Sequence, residues 1–266
     1  MSSRYLIGQY HPSESWGHRL DPRGKLWLAV FLMVISVFTS SALFYVCLIA
    51  GLIILLLISD ISPAMIARNI RPFIILVAVT AIYHLLFSAR NTDTWFTIWG
   101  FRLTEGGINL ALSFSLRVLV FVGVAFFISL TTMPADLAQA MVGWLKPLRR
   151  IGVPAEDIGL IIFIAMRFIP VLAEEFDTIK KAQQVRGVDF AGGLINRARK
   201  MVYLLIPVFQ SAIRRADDLA IAIEARGYVS GQARSSYMQF KWRAADIVFL
   251  VTGTMAVTAL FILTRI

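Results

Sequence analysis

Five apolar runs constrain the fold of this chain more than any other feature of its sequence. They fall near residues 26–40, 42–58, 72–88, 107–131 and 244–264. Most of them approach or reach the roughly 17–25 residues that an α-helix needs to cross the hydrocarbon of a bilayer. Apolar and polar residues do not alternate within the runs, so a transmembrane barrel does not fit. The sequence therefore predicts an all-α polytopic membrane protein with about five transmembrane helices.

The composition of the chain supports this prediction. Hydrophobic residues make up 58% of the 266 residues and charged residues 16%, whereas soluble domains have about 25% charged residues. The single cysteine, Cys47, has no intrachain partner for a disulfide. The histidines His11, His18 and His84 lack the spacing of metal ligands. We expect this chain to bind neither a metal nor a cofactor.

The distribution of charge predicts the orientation of the chain. Its net charge is +10, and residues 132–243 hold 16 of the 26 Lys and Arg against 10 Asp and Glu. In a membrane protein such an excess of Lys and Arg marks a cytoplasmic segment. The positive charge therefore does not require a nucleic-acid partner, and we predict none. We predict a multi-pass protein of the cell (inner or cytoplasmic) membrane. Its N-terminus is then cytoplasmic, and five spans leave the C-terminus outside.

The same pattern divides the chain into three parts. Residues 1–131 would form a membrane domain of four spans, residues 132–243 a cytoplasmic domain, and residues 244–266 a final transmembrane helix. The middle part contains apolar stretches at 158–172 and 201–213, which are too short to cross a bilayer. They are typical of interfacial or buried helices.

Two long amphipathic helices of similar design are predicted in the middle part. Each apolar stretch contains a proline, Pro170 or Pro207, that should kink its helix. Beyond the prolines, apolar residues recur at steps of four and three, which predicts a packing seam. In the second helix the seam consists of Phe209, Ile213, Ala216, Ala220 and Ile223. Residues near 134–148 predict a third amphipathic helix, or else part of a sixth membrane segment.

Both long helices end in the dipeptide Arg-Gly, at Arg186-Gly187 and Arg226-Gly227. One interpretation is purely structural, because glycine often follows the last helical residue and a cation there complements the helix dipole. The other is functional, because an exposed arginine at a helix tip can form a bidentate contact with a carboxylate of a partner. The repetition favours docking, but the sequence leaves both interpretations open.

The chain strongly resembles the transmembrane T component of energy-coupling factor importers, the EcfT family. The resemblance covers nearly the whole chain, from the segment HRLDPRGKL at 18–26 through TTMP at 131–134, KPL at 146–148 and RFIP at 167–170 to the two helix tips. The marker of the family is a pair of Ala-Arg-Gly tripeptides. Ala225-Arg226-Gly227 matches it fully, whereas the first copy is Val185-Arg186-Gly187.

The resemblance implies a scaffold subunit with two kinds of partner. Two ABC-type ATPase subunits, of the EcfA and EcfA′ type, would lie under crossed cytoplasmic coupling helices and receive Arg186 and Arg226 in their grooves. A membrane-embedded S component would bind the substrate, a vitamin or another micronutrient. The stretch QQVRGVDF at 183–190 and the chain length look closest to versions shared among several vitamin S components, and versions dedicated to cobalt or nickel are the alternative. ATP and Mg²⁺ would be bound by the partners, since this chain has no Gly-rich phosphate loop.

Arg117 lies inside the fourth apolar run, where a charge needs compensation. Either carbonyls and hydroxyls such as that of Ser113 satisfy it, or it contacts the S component.

The acidic residues Glu156, Asp157, Glu174, Glu175 and Asp177 form the best candidate catalytic cluster. Because they fall at helical spacings among Lys and Arg, we interpret them as a solvated face and the chain as a non-enzyme. A membrane anchor or assembly factor that recruits a soluble partner without a transport cycle is the alternative function.

Overall fold

The computed structural model describes residues 13, 15–87, 94–98, 101–188, 190, 193–229 and 242–264. Within this part the chain is predominantly helical, as predicted. The elements are α1 (Trp16–Arg19), α2 (Pro22–Val37), α3 (Ala42–Ile58), α4 (Pro63–Ile70), α5 (Phe73–Phe87), β1 (Thr94–Ile98), β2 (Phe101–Thr104), α6 (Glu105–Thr131), α7 (Pro134–Leu145), a 3-10 helix (Lys146–Ile151), α8 (Ala155–Val185), α9 (Leu194–Ala225) and α10 (Ala244–Leu263).

The antiparallel hairpin of β1 and β2 was not predicted from the sequence. Its strands contain β-branched and aromatic residues, TWFTI and FRLT, which favour extended backbone. The strands are too short to form a periodic signal, and they lie in a loop between two apolar helices. Thr104 then begins α6, because its side-chain oxygen accepts a hydrogen bond from the backbone N–H of Gly107 at 3.1 Å.

Several helices are apolar enough for a membrane. By length and composition, α6 and α10 could each cross a bilayer, and α4 and α5 could form a third span that is bent by 52°. Helix α3 is apolar but has 17 residues, and α2 has 16. Helical segments therefore occupy all five apolar runs, while the count of five transmembrane spans stays a prediction.

The chain forms two compact units. The first comprises residues 1–137 and 238–266, and the second comprises residues 138–237. The core of the first unit is where α2, α3, α6 and α10 meet. Its buried residues are Ala29, Leu32, Phe44, Tyr45, Leu48, Val120, Val124 and Val257. The predicted division at residues 132 and 243 stays a prediction.

Arg117 satisfies the carbonyl groups at the end of α2. Its Nε donates to the hydroxyl of Tyr45 and its Nη2 to the carbonyl oxygen of Thr39, both at 2.8 Å. The Tyr45 hydroxyl lies 2.7 Å from the carbonyl oxygens of Ser36 and Thr39. These carbonyls have no helical partner, so side chains have to supply one in an apolar environment.

The partners of Arg117 are a hydroxyl and a carbonyl, as the structural interpretation expects, but Ser113 is not among them. The Ser113 hydroxyl donates instead to the carbonyl of Ser40 at 2.6 Å. The guanidinium of Arg117 also stacks 4.6 Å from the ring centroid of Phe114, a favourable cation–π distance. A contact of Arg117 with an S component stays a prediction.

At the other end of α2, two buried charged residues connect helix termini. The Nζ of Lys25 donates to the Thr131 carbonyl at 3.0 Å and to the hydroxyls of Thr131 and Thr132 at 3.2 and 3.1 Å, so it caps the C-terminus of α6. Asp246 accepts from the backbone N–H groups of Asp21 and Arg243, both at 2.8 Å. It thereby caps α2 and α10 together.

The second unit contains α8 and α9 of 31 and 32 residues. The start of α8 packs closely against α7. A Cβ atom added at Gly159 would lie 3.0 Å from Cγ1 of Val142, so only glycine fits at this position without a shift. Pro170 and Pro207 lie inside helices that remain continuous, and their predicted kinks stay a prediction. Phe209 and Ile213 of the predicted seam are 66% and 46% exposed within the described part of the chain.

Substituting Arg117 with Leu should destabilise the first unit, although leucine is the more apolar residue. It leaves the Thr39 carbonyl and the Tyr45 hydroxyl without their guanidinium partner, which costs about 1–3 kcal/mol. Thermal unfolding of the purified chain in detergent measures the effect. Thr258→Val is the control, because this hydroxyl bonds only its own helix, at the Thr254 carbonyl. An unchanged Tm for Arg117→Leu would contradict the capping role.

Substituting Asp246 with Asn should lower the Tm as well. An amide can accept from only one of the two N–H groups that the carboxylate now serves, so one helix N-terminus loses its acceptor at a cost of about 1–3 kcal/mol. The exposed Asp218→Asn in α9 is the matched control. Equal melting of the two variants would show that Asp246 does not stabilise both helices.

Candidate docking site

The first helix tip, Val185-Arg186-Gly187, ends α8 in a glycine turn. Gly187 has a positive φ of 86°. Its N–H donates to the Gln184 carbonyl and the N–H of Val188 donates to the Gln183 carbonyl, both at 3.0 Å. This pair of bonds defines a Schellman motif, which satisfies carbonyls that the helix would otherwise leave open.

The second helix tip, Ala225-Arg226-Gly227, ends α9 with the same geometry. Gly227 has a φ of 76°. The N–H of Gly227 donates to the Glu224 carbonyl at 2.9 Å, and the N–H of Tyr228 donates to the Ile223 carbonyl at 3.2 Å. The two tips are therefore equivalent local structures, and in both the glycine follows from its backbone conformation.

The arginine of each tip is the residue that caps the C-terminus of its helix. Arg186 and Arg226 are both exposed, and neither guanidinium has a hydrogen bond or an ion pair with another residue in the part of the chain that the structure describes. Each guanidinium has five N–H donors in a planar fork.

Val185, where the second tip has alanine, is 90% exposed. Its larger side chain therefore meets no packing restriction within the chain.

Two contacts show that α8 and α9 run antiparallel. Glu175 accepts from Arg215 at 3.3 Å, and Asp157, nearer the start of α8, accepts from Tyr228, beyond the end of α9, at 2.7 Å. In an antiparallel pair the two C-terminal ends lie at opposite ends of the pair. A straight helix of this length would separate the tips by about 45 Å.

The acidic residues that formed the candidate catalytic cluster are distributed along α8. Glu156 pairs with Arg149 at 3.5 Å, and Glu175 pairs with Arg215. Among the described residues no group of three or more His, Cys, Asp or Glu is arranged to hold a metal ion. The contact of Asp157 with Tyr228 was not predicted from the sequence; the position of Tyr228 directly after Arg226-Gly227 is the signal that could have suggested it.

Replacing Gly187 or Gly227 with Ala should loosen the corresponding tip. No atom lies within 4 Å of a Cβ at either position, so the cost comes from the left-handed backbone alone and is about 1 kcal/mol. Hydrogen exchange should accelerate at the amide of the substituted residue and of the next residue. Gly51→Ala, at an open position inside α3, is the control and should leave both tips unchanged. Undisturbed exchange in the tip variants would contradict the Schellman geometry.

The chain is apolar and mainly helical, and two antiparallel helices end in exposed arginines, which fits a membrane protein. Residues 13–237 match the family model described as CbiQ, cobalt transport protein. Three similar proteins are each called energy-coupling factor transporter transmembrane protein EcfT. That of Limosilactobacillus fermentum is 40% identical over 100% of this chain and 99% of its own length.

The EcfT of Lactococcus lactis subsp. cremoris is 36% identical over 97% of both chains, and that of Bacillus subtilis is 35% identical over 99% of both. Matches of this extent establish the family. The chain belongs to the family of energy-coupling factor transporter transmembrane proteins.

Proposed function

We propose that the chain is the scaffold subunit of an energy-coupling factor importer. In this proposal it is not an enzyme: two ATPase subunits bind ATP and Mg²⁺, and the chain transmits their motion to an S component that binds a vitamin or another micronutrient. The observation that supports it best is the pair of equivalent, exposed arginine tips. Each tip ends one helix, and the two tips lie at opposite ends of the antiparallel pair formed by α8 and α9.

The geometry of the tips suits two separate partners better than one. The glycine turn of each tip satisfies two of the last carbonyls of its helix with backbone N–H groups, so the exposed guanidinium is not needed for this and is available to an approaching groove. Because the tips lie at opposite ends of an antiparallel pair of long helices, each arginine needs its own acceptor. Two ATPase subunits, each offering a carboxylate in a groove, would meet this requirement.

The proposal assigns α8 and α9 the role of coupling helices and places them in the cytoplasm together with the N-terminus. With the N-terminus in the cytoplasm, five transmembrane spans would place the C-terminus outside the cell. The kinks at Pro170 and Pro207 would change the direction of each helix between its apolar first half and its charged second half. Because α8 and α9 continue through these prolines without a break, displacement of a tip would move the apolar half as well.

The double substitution Arg186→Glu with Arg226→Glu should abolish copurification of the ATPase subunits. Losing a charge-assisted contact costs about 1.5–3 kcal/mol per site, which weakens affinity by tenfold or more. The matched control is Arg199→Glu with Arg214→Glu, which changes the same charge on exposed residues of α9. A complex that survives only in the control supports docking at the tips. Retention in the tip variant would refute it.

The transport cycle is tested separately by uptake into vesicles that contain the chain, the ATPase subunits and an S component. ATP-dependent accumulation of the substrate supports an importer. Stable assembly without accumulation would instead support the alternative, a membrane anchor that only recruits its partners.

A further inference from the structure

The two tips differ in the residue that follows the glycine. Val188 follows the first tip and offers no side-chain hydrogen bond, whereas Tyr228 follows the second. The hydroxyl of Tyr228 donates to Oδ1 of Asp157 at 2.7 Å, across 71 positions of sequence and in a partly buried location. A hydroxyl that donates to a carboxylate at this distance forms one of the stronger hydrogen bonds in proteins.

Asp157 is well placed to anchor a neighbour. It lies in the first turn of α8, two residues after Ala155, which is fully buried. Gly159 fits closely against Val142 of α7, and Glu156 pairs with Arg149 of the 3-10 helix at 3.5 Å. The start of α8 is therefore held from three sides by its own unit.

The backbone of Tyr228 is part of the second tip itself. Its N–H closes the Schellman motif by donating to the Ile223 carbonyl at 3.2 Å. One residue thus bonds the end of α9 through its backbone and the start of α8 through its side chain. Arg226, two residues earlier, lies within the turn that this backbone bond closes.

We infer that Tyr228 and Asp157 position the second tip, so that Arg226 is presented in one fixed direction. The inference rests on the proposed function, in which Arg226 contacts an ATPase subunit. The two tips are then held unequally in the part of the chain that the structure describes: the first ends in its glycine turn, while the second is also hydrogen-bonded to the start of α8. Tyr228 and Asp157 are positioning residues and touch no nucleotide or substrate.

The hydrogen bond between Tyr228 and Asp157 is tested by hydrogen exchange in the purified full-length chain. Tyr228→Phe keeps the ring and removes the hydroxyl, and it should accelerate exchange at the amides of residues 227 and 228 several-fold, with residues 187 and 188 unchanged. Asp157→Ala should do the same, and the double variant should add nothing. Asp157→Asn retains an oxygen acceptor and should keep part of the protection. Tyr203→Phe, an exposed tyrosine of α9, is the matched control.

The consequence of the Tyr228–Asp157 hydrogen bond for docking is tested in the complex of the chain with its two ATPase subunits. Tyr228→Phe should weaken ATPase binding about fivefold, within the range for a hydrogen bond to a charged group. The effect should vanish in an Arg226→Ala background and persist in an Arg186→Ala background. Equal loss in both backgrounds, or unaltered exchange at residues 227 and 228, would overturn the inference.

The two proposals fail in different ways. If ATPase binding proves independent of Arg226, docking at the tip is wrong, and the exchange measurement still decides whether Tyr228 fixes the tip. If Arg226 is needed but Tyr228→Phe changes neither exchange nor affinity, docking stands and the positioning role is refuted.

Discussion

A bilayer offers no water to the open ends of a helix, and this constraint governs the first unit. Where a helix ends away from water, its open N–H and carbonyl groups have to find a partner within the chain. Tyr45 and Arg117 serve the last carbonyls of α2, Asp246 serves the first N–H groups of α2 and α10, and Lys25 serves the end of α6. Charged residues that would be costly in lipid are thus favourable at the helix termini.

The second unit satisfies its helix ends by another means. At both tips a glycine with positive φ turns the chain back and closes the C-terminal carbonyls with backbone N–H groups. The capping arginine is therefore not needed for the helix end and stays exposed. The structural and the docking interpretations of Arg-Gly are consequently compatible: glycine ends the helix, and this leaves arginine available for a partner.

The helices could be predicted from the sequence because apolar runs and periodicity are local signals. The second apolar run coincides with α3 (Ala42–Ile58), and the fourth lies within α6 (Glu105–Thr131). Contacts between distant positions have no such signal. Arg117 reaches Tyr45 across 72 positions, and Asp157 reaches Tyr228 across 71. The kind of partner for Arg117 followed from its environment, but Ser113, one turn away, was the wrong choice.

The exposed apolar face of α9 connects the tips to the proposed function. Phe209 lies two residues after Pro207 and is 66% exposed, and exposed apolar patches commonly mark interfaces. Between Pro207 and Ala225 the helix is uninterrupted over about 27 Å, so the apolar face and Arg226 belong to one stiff segment. A partner that moves the tip therefore also moves the face. If Tyr228 holds that tip against α8, the displacement is shared by both helices rather than absorbed at the end of one.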